Sequence, residues 1–403
     1  MIFMTRKKKT LIIILGVIAV ALVAAGIVFA TNWNKPLGEA LALSTRTSES
    51  TKAPPKPTSA PTAAPSGSTP TNTPTKTLFT IPTLTATPAP VCGETRLLYF
   101  LVAGVGDMDE TYSYGVTDVI RVVRVDFVTP KVSILTLPRD LLVELPNTFD
   151  SNGNELTQGK LNQAYFFGSP NMNYYKGPGN GPGALAETIA NNFDLYVDHY
   201  GIVNMQVFID MIDAMGGVEI WLPQFVDGRP QDEESFDLDK SQGYFEQGWN
   251  HMSGKDALSF VRIRARIGEK ARTDNQTLLI CALKDQLSQP SIIGTIPKMV
   301  GSLIENTQTD LTPAQISDLA CLLPKLTSEN LQFVSMSIWN EKNNPDGMLK
   351  PAYENIANMD GESYVYTYDS DAVKAFIDKF ENDQIEPSTD GGNGSCPVPP
   401  TKP

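Results

Sequence analysis

Four arginines lie within eleven consecutive residues of the segment SFVRIRARIGEKARTDNQ, which covers residues 259–276. They are Arg262, Arg264, Arg266 and Arg272, in a chain that has eleven arginines altogether and a net charge of −13. Guanidinium groups stay charged and bind phosphate oxygens in pairs, so several of them converging on one place would suit a pyrophosphate. If VRIRAR is extended, its three arginines point to one face. A solvated basic face, or ion pairs with the many carboxylates, is the alternative interpretation.

Two further segments carry charged side chains next to predicted strands. Arg139 and Asp140 follow Pro138 directly after a β-branched run, and Lys160 opens the segment KLNQAY. Serine-hydrolase and zinc-protease chemistry is not expected, because the sequence has no Gly-x-Ser-x-Gly elbow, no His-Glu-x-x-His motif and only two histidines. No nucleic-acid partner is expected for a chain of this net charge. What remains is a constellation of arginines and aspartates.

Strands and helices alternate along the part of the chain that positions these residues. Residues 96–105 read as a buried strand, and the β-branched runs at 118–128 and 131–138 are separated by Thr129-Pro130, which indicates a hairpin. Helices are predicted at 183–193, 205–215, 253–261, 274–287 and 312–323, and further strands at 196–204, 218–223 and 331–339. The predicted fold class is therefore α/β, with a mixed central β-sheet flanked by helices.

The first thirty residues have the pattern of a membrane anchor. Residues 1–10 contain a basic cluster, and residues 11–30 form an uncharged apolar run of the length that a helix needs to cross a bilayer. The basic cluster predicts that residues 1–10 stay in the cytoplasm and that the chain beyond residue 30 lies outside it. A cleaved signal peptide is the alternative, although its apolar core is usually shorter. The expected location is the cell membrane, crossed once.

Composition divides the rest of the chain. Residues 31–91 are expected to be an extended linker that holds the folded part away from the membrane, because residues 51–90 consist mainly of proline and threonine. Residues 92–290 are expected to form the main part of a folded domain, and residues 291–385 to complete it. Residues 386–403 are expected to be a disordered tail.

All four cysteines lie beyond the predicted span, and none has the pair spacing of a metal site. Four cysteines allow three disulfide pairings. The pair Cys281–Cys321 is favoured, because both residues fall in apolar stretches with helical spacing. Cys92–Cys396 would then join the two ends of the domain. Free buried thiols are the alternative.

The order of the motifs resembles the LytR–CpsA–Psr family of cell-wall phosphotransferases over roughly residues 95–290. The resemblance rests on TDVIRVVRVD, ILTLPRDLLVELP, KLNQAY, GPGALAETI, VNMQVFIDMIDAMGGVEIWLP and MSGKDALSFVRIRAR followed by an arginine and a glutamine. It implies that residues 92–290 are the catalytic core of an extracytoplasmic, Mg²⁺-dependent glycopolymer phosphotransferase. Family members move a glycan from an undecaprenyl pyrophosphate carrier to peptidoglycan, or in some cases to protein, through a phosphodiester. The implied partners are a polyprenyl-pyrophosphate-linked glycan and peptidoglycan or another surface acceptor.

The resemblance also implies roles for single residues. The metal ligands would be Asp118 and Asp107, although Gly106 stands where the second aspartate is often found. The catalytic residues would be Arg139, Asp140, Arg262 and Arg264. The substrate-binding residues would be Lys160, Arg272 and Gln276. An acidic residue such as Asp140 would take the proton from the acceptor hydroxyl.

The chain departs from the family pattern at three positions. Val116 and Asn275 replace common arginines, which removes two anion contacts, and Ala271 replaces a frequent glycine. Two other functions would use the remaining residues: a non-catalytic surface module that binds anionic wall polymer, and a polyprenyl pyrophosphate hydrolase. A binder needs the arginines but not the aspartates, which favours the enzyme. The apolar faces of the predicted helices at 205–215 and 278–287 would line a lipid groove or belong to the core.

Overall fold

The computed structural model describes residues 33–41, 88–106, 112–229, 243–264, 268–289, 306–338, 344, 346–356, 359, 361–385 and 396–402. The predictions for residues 1–10, for the span at 11–30, for Asp107 and for Arg266 lie outside these residues. Among the residues that are described, none of the helices has the length and apolar character needed to cross a membrane.

A mixed β-sheet forms the centre of the fold. The strands are β1 (Leu97–Val105), β2 (Thr117–Asp126), β3 (Lys131–Thr136), β4 (Leu142–Glu144), β5 (Gln158–Lys160), β6 (His199–Asn204), β7 (Val218–Leu222), β8 (Val226–Asp227), β9 (Tyr244–Phe245), β10 (Gly248–Met252), β11 (Gln308–Thr309), β12 (Leu331–Ser335), β13 (Leu349–Asn355) and β14 (Glu362–Tyr368). Six of them form the central sheet in the order β11-β6-β1-β2-β3-β12. β2 pairs antiparallel with β1 and β3, whereas β6 and β12 run parallel to β1 and β3. The predicted hairpin and the mixed sheet are confirmed.

Helices cover the sheet and connect its strands. They are α1 (Leu161–Gly168), α2 (Asn180–Phe193), α3 (Met205–Ala214), α4 (Gly254–Arg262), α5 (Gly268–Leu287), α6 (Pro313–Leu322) and α7 (Ser370–Glu381). The hydroxyls of Ser253 and Thr312 accept hydrogen bonds from backbone amides in the first turns of α4 and α6, each within a capping box. The helices predicted at 253–261 and 312–323 therefore begin where expected. Gly216 and Gly217 follow α3 with φ values of 79° and 88°, which lets the chain reverse into β7.

Buried side chains on both faces hold the layers together. On one face, residues such as Ile120 and Val122 pack with residues of α1, α2 and α7 in the largest core cluster. On the other face, Val125, Ile134 and Phe333 belong to a second cluster with residues of α5 and α6. A third cluster joins α3, α4, α5, β7 and β10. Helix α5 therefore has the sheet on one side and α3 and α4 on the other.

The two disulfides differ from the predicted pairing. They join Cys92 to Cys321 and Cys281 to Cys396, so the predicted pairs Cys281–Cys321 and Cys92–Cys396 are wrong. Cys281 is buried on α5, whereas Cys321 lies on an exposed part of α6. Helical spacing predicts which side of a helix is covered, but not which neighbouring segment covers it.

The tail that is predicted to be disordered is attached to the domain over residues 396–402. Cys396 is buried and bonded to Cys281, and the Lys402 Nζ lies 3.0 Å from a carboxylate oxygen of Glu219. The prediction of disorder is corrected for these residues. A composition rich in proline and glycine does not reveal a covalent attachment.

Residues 33–41, part of the predicted linker, lie against the domain instead of extending away from it. The contacts are hydrogen bonds from the Ala314 amide to the Trp33 carbonyl (3.1 Å), from the Leu37 amide to the Leu311 carbonyl (3.1 Å), from the Tyr200 hydroxyl to the Glu39 carbonyl (3.0 Å) and from the Leu41 amide to an Asp310 carboxylate oxygen (3.4 Å). The Leu41 side chain also packs against the largest core cluster. At the other end of the linker, the Val91 amide donates to the Phe127 carbonyl at 2.8 Å. The prediction of an extended linker is therefore corrected at both ends.

A fragment that begins at residue 88 is expected to be less stable than one that begins at residue 33. It lacks the partners of Tyr200 and Asp310, and we expect a loss of about 1–3 kcal/mol in the free energy of unfolding, because each such hydrogen bond contributes about 1 kcal/mol. Urea unfolding of the two fragments measures the difference. Equal stability would mean that residues 33–41 do not bind the domain in solution.

Candidate functional site

A groove of about 400 Å³ opens between the carboxyl end of β1, the start of β2 and the helices α3, α4 and α5. Much of its wall is apolar and includes Met205, Phe208, Met211, Leu258, Val261 and Leu279. Met205, Phe208 and Met211 are spaced by three residues, so they lie on one face of α3. Both helices considered for a lipid groove therefore contribute to this wall as well as to the core.

One part of the groove is strongly positive. The charged residues that line it are Asp118, Arg121, Arg139, Arg262, Arg264 and Arg272. Among the residues that the structure describes, five guanidinium groups thus face one carboxylate, in a chain whose net charge is −13. Low-dielectric walls strengthen the attraction of such a cluster for an anion.

Arg139 is held by two aspartates. It follows β3 by three residues, and its Nη1 lies 2.5 Å from Asp118 Oδ1, while its Nε donates to Asp140 Oδ2 at 3.3 Å. The other oxygen of Asp140 accepts from Lys160 Nζ at 2.9 Å. Four predicted site residues from three segments therefore form one chain of ion pairs, in which Arg139 and Asp118 line the groove. Asp140 and Lys160 orient Arg139, because both oxygens of Asp140 are bound to cations.

The arginine-rich segment is not one extended strand. Arg262 is the last residue of α4, and the helix is capped at Ile263, whose side chain is buried in the third core cluster. Arg262 and Arg264 flank this buried residue, and both are exposed side chains that line the groove. The condition for a shared face, an extended VRIRAR, is not met at Val261 and Arg262, although Arg262 and Arg264 do reach the same groove.

Arg272 and Gln276 lie four residues apart on α5, so they occupy the same helix face. Both are largely buried and line the groove. Gln276 Nε2 donates to the Val261 carbonyl at 3.3 Å, which ties α5 to α4. Asn275, at a common arginine position of the family, is also buried and donates to the Phe260 carbonyl at 3.3 Å. It reinforces the same contact between helices.

Sequence reasoning missed Arg121. This residue lies within β2, lines the groove and is buried, and its Nη2 donates to Gln276 Oε1 at 3.1 Å. The available signal was an arginine in the middle of a β-branched run predicted to be a strand. Arginine is rarely buried without a partner group, so an arginine at this position indicates that its guanidinium binds another group.

A Mg²⁺ ion fits the surroundings of Asp118 in part. Asp118 Oδ1 is bound to Arg139, and Oδ2 faces Gly106, where a Cβ atom would come within 3.1 Å of it. The absence of a side chain at Gly106 therefore leaves space beside this oxygen. The described residues contain no group of three or more acidic, histidine or cysteine side chains that would hold a metal by themselves. Mg²⁺ commonly uses one or two carboxylates, waters and substrate phosphates, and Asp118 fits that set.

A model described as the LytR_cpsA_psr family matches residues 83–363 of the chain. The chain is 28% identical over 240 residues to TagV of Bacillus subtilis, which is named a polyisoprenyl-teichoic acid–peptidoglycan teichoic acid transferase, and the match covers 59% of this chain and 56% of TagV. It is 30% identical over 229 residues to TagU of Oceanobacillus iheyensis, which has the same transferase name, and covers 56% and 62% of the two chains. The matches therefore span less than two thirds of the length of these relatives.

Solved structures share the fold. The crystal structure of B. subtilis TagV matches with a TM-score of 0.53 at 23% identity, over 72% of this chain and 97% of that one. A Streptococcus agalactiae protein, gbs0355, matches with a TM-score of 0.51 at 20% identity, over 74% and 93%. Both agree with a mixed sheet flanked by helices.

Proposed function

Because this chain belongs to the LytR–CpsA–Psr family, we propose that it transfers a glycan phosphate from an undecaprenyl-pyrophosphate carrier to a cell-surface acceptor. The observation that carries the proposal is the groove, in which five guanidinium groups adjoin an apolar wall. A lipid-linked pyrophosphate has the matching chemistry, with a charged diphosphate at one end and a hydrocarbon chain at the other.

The acceptor is proposed from the relatives. TagV and TagU are named as transferases of teichoic acid to peptidoglycan. We propose that peptidoglycan, or another surface polymer with a free sugar hydroxyl, is the acceptor here. The proposed location is the cell membrane, with a single span at residues 11–30, residues 1–10 in the cytoplasm and the domain outside.

The reaction is a phosphoryl transfer. The oxygen of an acceptor hydroxyl attacks the phosphorus that carries the glycan, and the bond from this phosphorus to the bridging oxygen breaks. A phosphodiester forms, and polyprenyl phosphate leaves with the bridging oxygen. Positioning and charge stabilisation dominate such reactions.

The residues of the groove divide these tasks. Arg139, Arg262 and Arg264 bind phosphate oxygens and stabilise the charge that develops on the leaving group. Arg272 binds the substrate from α5. When bound at Asp118, with Asp107 as the further proposed ligand, Mg²⁺ supplies additional positive charge for the pyrophosphate oxygens.

The proton of the acceptor hydroxyl needs a nearby base. Asp140 was the residue suggested by resemblance, but Arg139 and Lys160 occupy both its oxygens. We therefore propose Asp140 as a positioning residue for Arg139 and not as the proton acceptor. The open oxygen of Asp118, Oδ2, is the one proposed to bind Mg²⁺.

The test uses the full-length protein in detergent with a short-chain polyprenyl pyrophosphate sugar, Mg²⁺ and a peptidoglycan fragment. We expect release of polyprenyl phosphate, formation of a phosphodiester on the acceptor, and loss of both in Asp118→Ala. Release without a phosphodiester, giving free glycan phosphate, would indicate a hydrolase. Binding of wall polymer that survives Asp118→Ala, without any turnover, would indicate a non-catalytic module and sink the enzymatic proposal.

A further inference from the structure

Arg121 has hydrogen-bonding capacity that the described protein does not use. Arg121 is 3% exposed, and its Nη2 donates to Gln276. Its Nε and Nη1 have no hydrogen-bond partner among the described residues. A guanidinium has five N–H donors and no way of losing its charge at neutral pH. Buried polar atoms are nearly always matched, so two unmatched nitrogens on a side chain that lines the groove indicate a missing ligand.

A second cation makes the environment of Arg121 still less favourable without an anion. Arg272 is 9% exposed and lines the same part of the groove. Burial, and next the charge of Arg272, lower the pKa of Arg121 to about 10, which leaves it protonated at neutral pH. No carboxylate of the described chain forms an ion pair with Arg121. An incoming anion would therefore relieve both the unmatched donors and the repulsion between the two cations.

Arg124 of the same strand is a buried arginine that the protein pairs with carboxylates, although its Nη1 also has no hydrogen-bond partner among the described residues. It is 6% exposed, its Nε donates to the Glu381 carbonyl at 3.1 Å, and carboxylate oxygens of Asp126 and Asp383 lie 3.9 and 3.8 Å from its Nη atoms. Residues three apart on a strand point to opposite faces, so Arg124 lies on the face away from the groove. Arg124 therefore stabilises the fold through its carboxylate partners, whereas Arg121 has no carboxylate partner among the described residues.

We infer that Arg121 is a further substrate-binding residue, whose guanidinium group binds the oxygens of a phosphate group lodged between β2 and α5. Gln276 is then a positioning residue, because it accepts from Arg121 and is itself fixed by its bond to the Val261 carbonyl. The identity of this phosphate as part of a lipid pyrophosphate rests on the proposed function. The sheet thus contributes to a phosphate site that is otherwise built from loops and helix ends.

The binding test uses inorganic pyrophosphate, with and without Mg²⁺, and the full-length protein in detergent. Calorimetric titration is expected to give a Kd for Arg121→Met at least about tenfold higher than that of the wild type, since charged hydrogen bonds to an anion are lost. Arg121→Lys should recover part of this affinity because it restores the charge. Arg124→Met is the matched control and should leave the Kd unchanged.

The melting temperatures of Arg121→Met and Arg124→Met give a second readout, because the two substitutions are expected to change them in different directions. Without pyrophosphate, Arg121→Met should melt at or above the wild-type temperature, because it removes an unmatched buried cation. Arg124→Met should melt lower, because it removes the hydrogen bond to the Glu381 carbonyl and the pairing with Asp126 and Asp383. If Arg121→Met binds pyrophosphate as the wild type does, the inference is overturned, whatever its melting temperature.

The outcomes also separate this inference from the proposed function. Pyrophosphate binding that depends on Arg121, in a protein that never turns over the lipid substrate, would support the inference and reject the transferase. Normal turnover and normal pyrophosphate affinity in Arg121→Met would reject the inference alone.

Discussion

Replacing Arg139 with alanine is expected to lower the rate of polyprenyl phosphate release at least about 100-fold, as the loss of one preorganised donor does in other enzymes. Arg139 lines the groove and is fixed from two sides by Asp118 and Asp140. Its loss removes a positive charge where the leaving phosphate becomes more negative. It also releases Asp118 from its ion pair, so the geometry of the proposed Mg²⁺ ligand is lost as well.

Arg139→Lys tests geometry separately from charge. An ammonium is a point charge and does not bridge two aspartates as a planar guanidinium does, so we expect an activity between those of the wild type and Arg139→Ala. Lys131→Met is a suitable control. Lys131 is a cation at the start of β3 that pairs with Asp383 at 2.7 Å, and it does not line the groove.

Initial rates over a range of lipid concentrations separate kcat from KM. A loss mainly in kcat indicates that Arg139 acts on the transition state, whereas a loss only in KM indicates uniform binding of the substrate. Lys131→Met should retain wild-type values. Full activity in Arg139→Ala would remove this residue from the mechanism.

Removing the Cys92–Cys321 disulfide, with serine at both positions, is expected to lower the free energy of unfolding by about 2–5 kcal/mol. The bond joins residues that are 229 apart in the sequence, and it attaches the chain entering β1 to α6. In the chain-entropy account, a crosslink between such distant residues strongly restricts the unfolded chain.

The second disulfide provides the comparison. Cys281 and Cys396 are 115 residues apart, and their bond ties the segment 396–402 to α5. The double serine variant at these positions should also unfold more easily and should expose its C-terminal segment to proteolysis. Denaturant unfolding measures the stabilities, and peptide mapping without reductant identifies the pairs. A peptide that joins Cys281 to Cys321 would contradict the structure.

Local sequence signals were sufficient to predict much of the fold. The pair Thr129-Pro130 separates two β-branched runs. It predicted the β2–β3 hairpin, because a proline at this point ends one strand and allows a turn before the next. Ser253 and Thr312 predicted two helix starts, because their hydroxyls satisfy amides that the first helical turn leaves open. These features depend on residues that are close together in the chain.

The failures concern contacts between distant segments. The alternation in VRIRAR resembles a strand, but the helix begun at Ser253 continues through Arg262 and ends only at Ile263. Six alternating residues are too few to distinguish a strand from the end of a helix. Likewise, Arg121 looks like an ordinary strand residue until α5 covers that face of the sheet. The disulfide pairs depend on the packing of α5 and α6 in the same way.

The attachment of residues 33–41 sets the working distance of the proposed enzyme. The proposed span ends at Ala30, and the three steps from there to Trp33 cover at most about 11 Å, even when fully extended. Both flanks of the proline- and threonine-rich stretch are attached to the domain: Leu41 packs against the largest core cluster, and the Pro88 carbonyl accepts from Arg96 at 2.6 Å. The length of this stretch therefore has no influence on how far the domain stands from the bilayer. With the proposed span, the domain is held close to the bilayer, and the acceptor polymer has to come to the membrane surface.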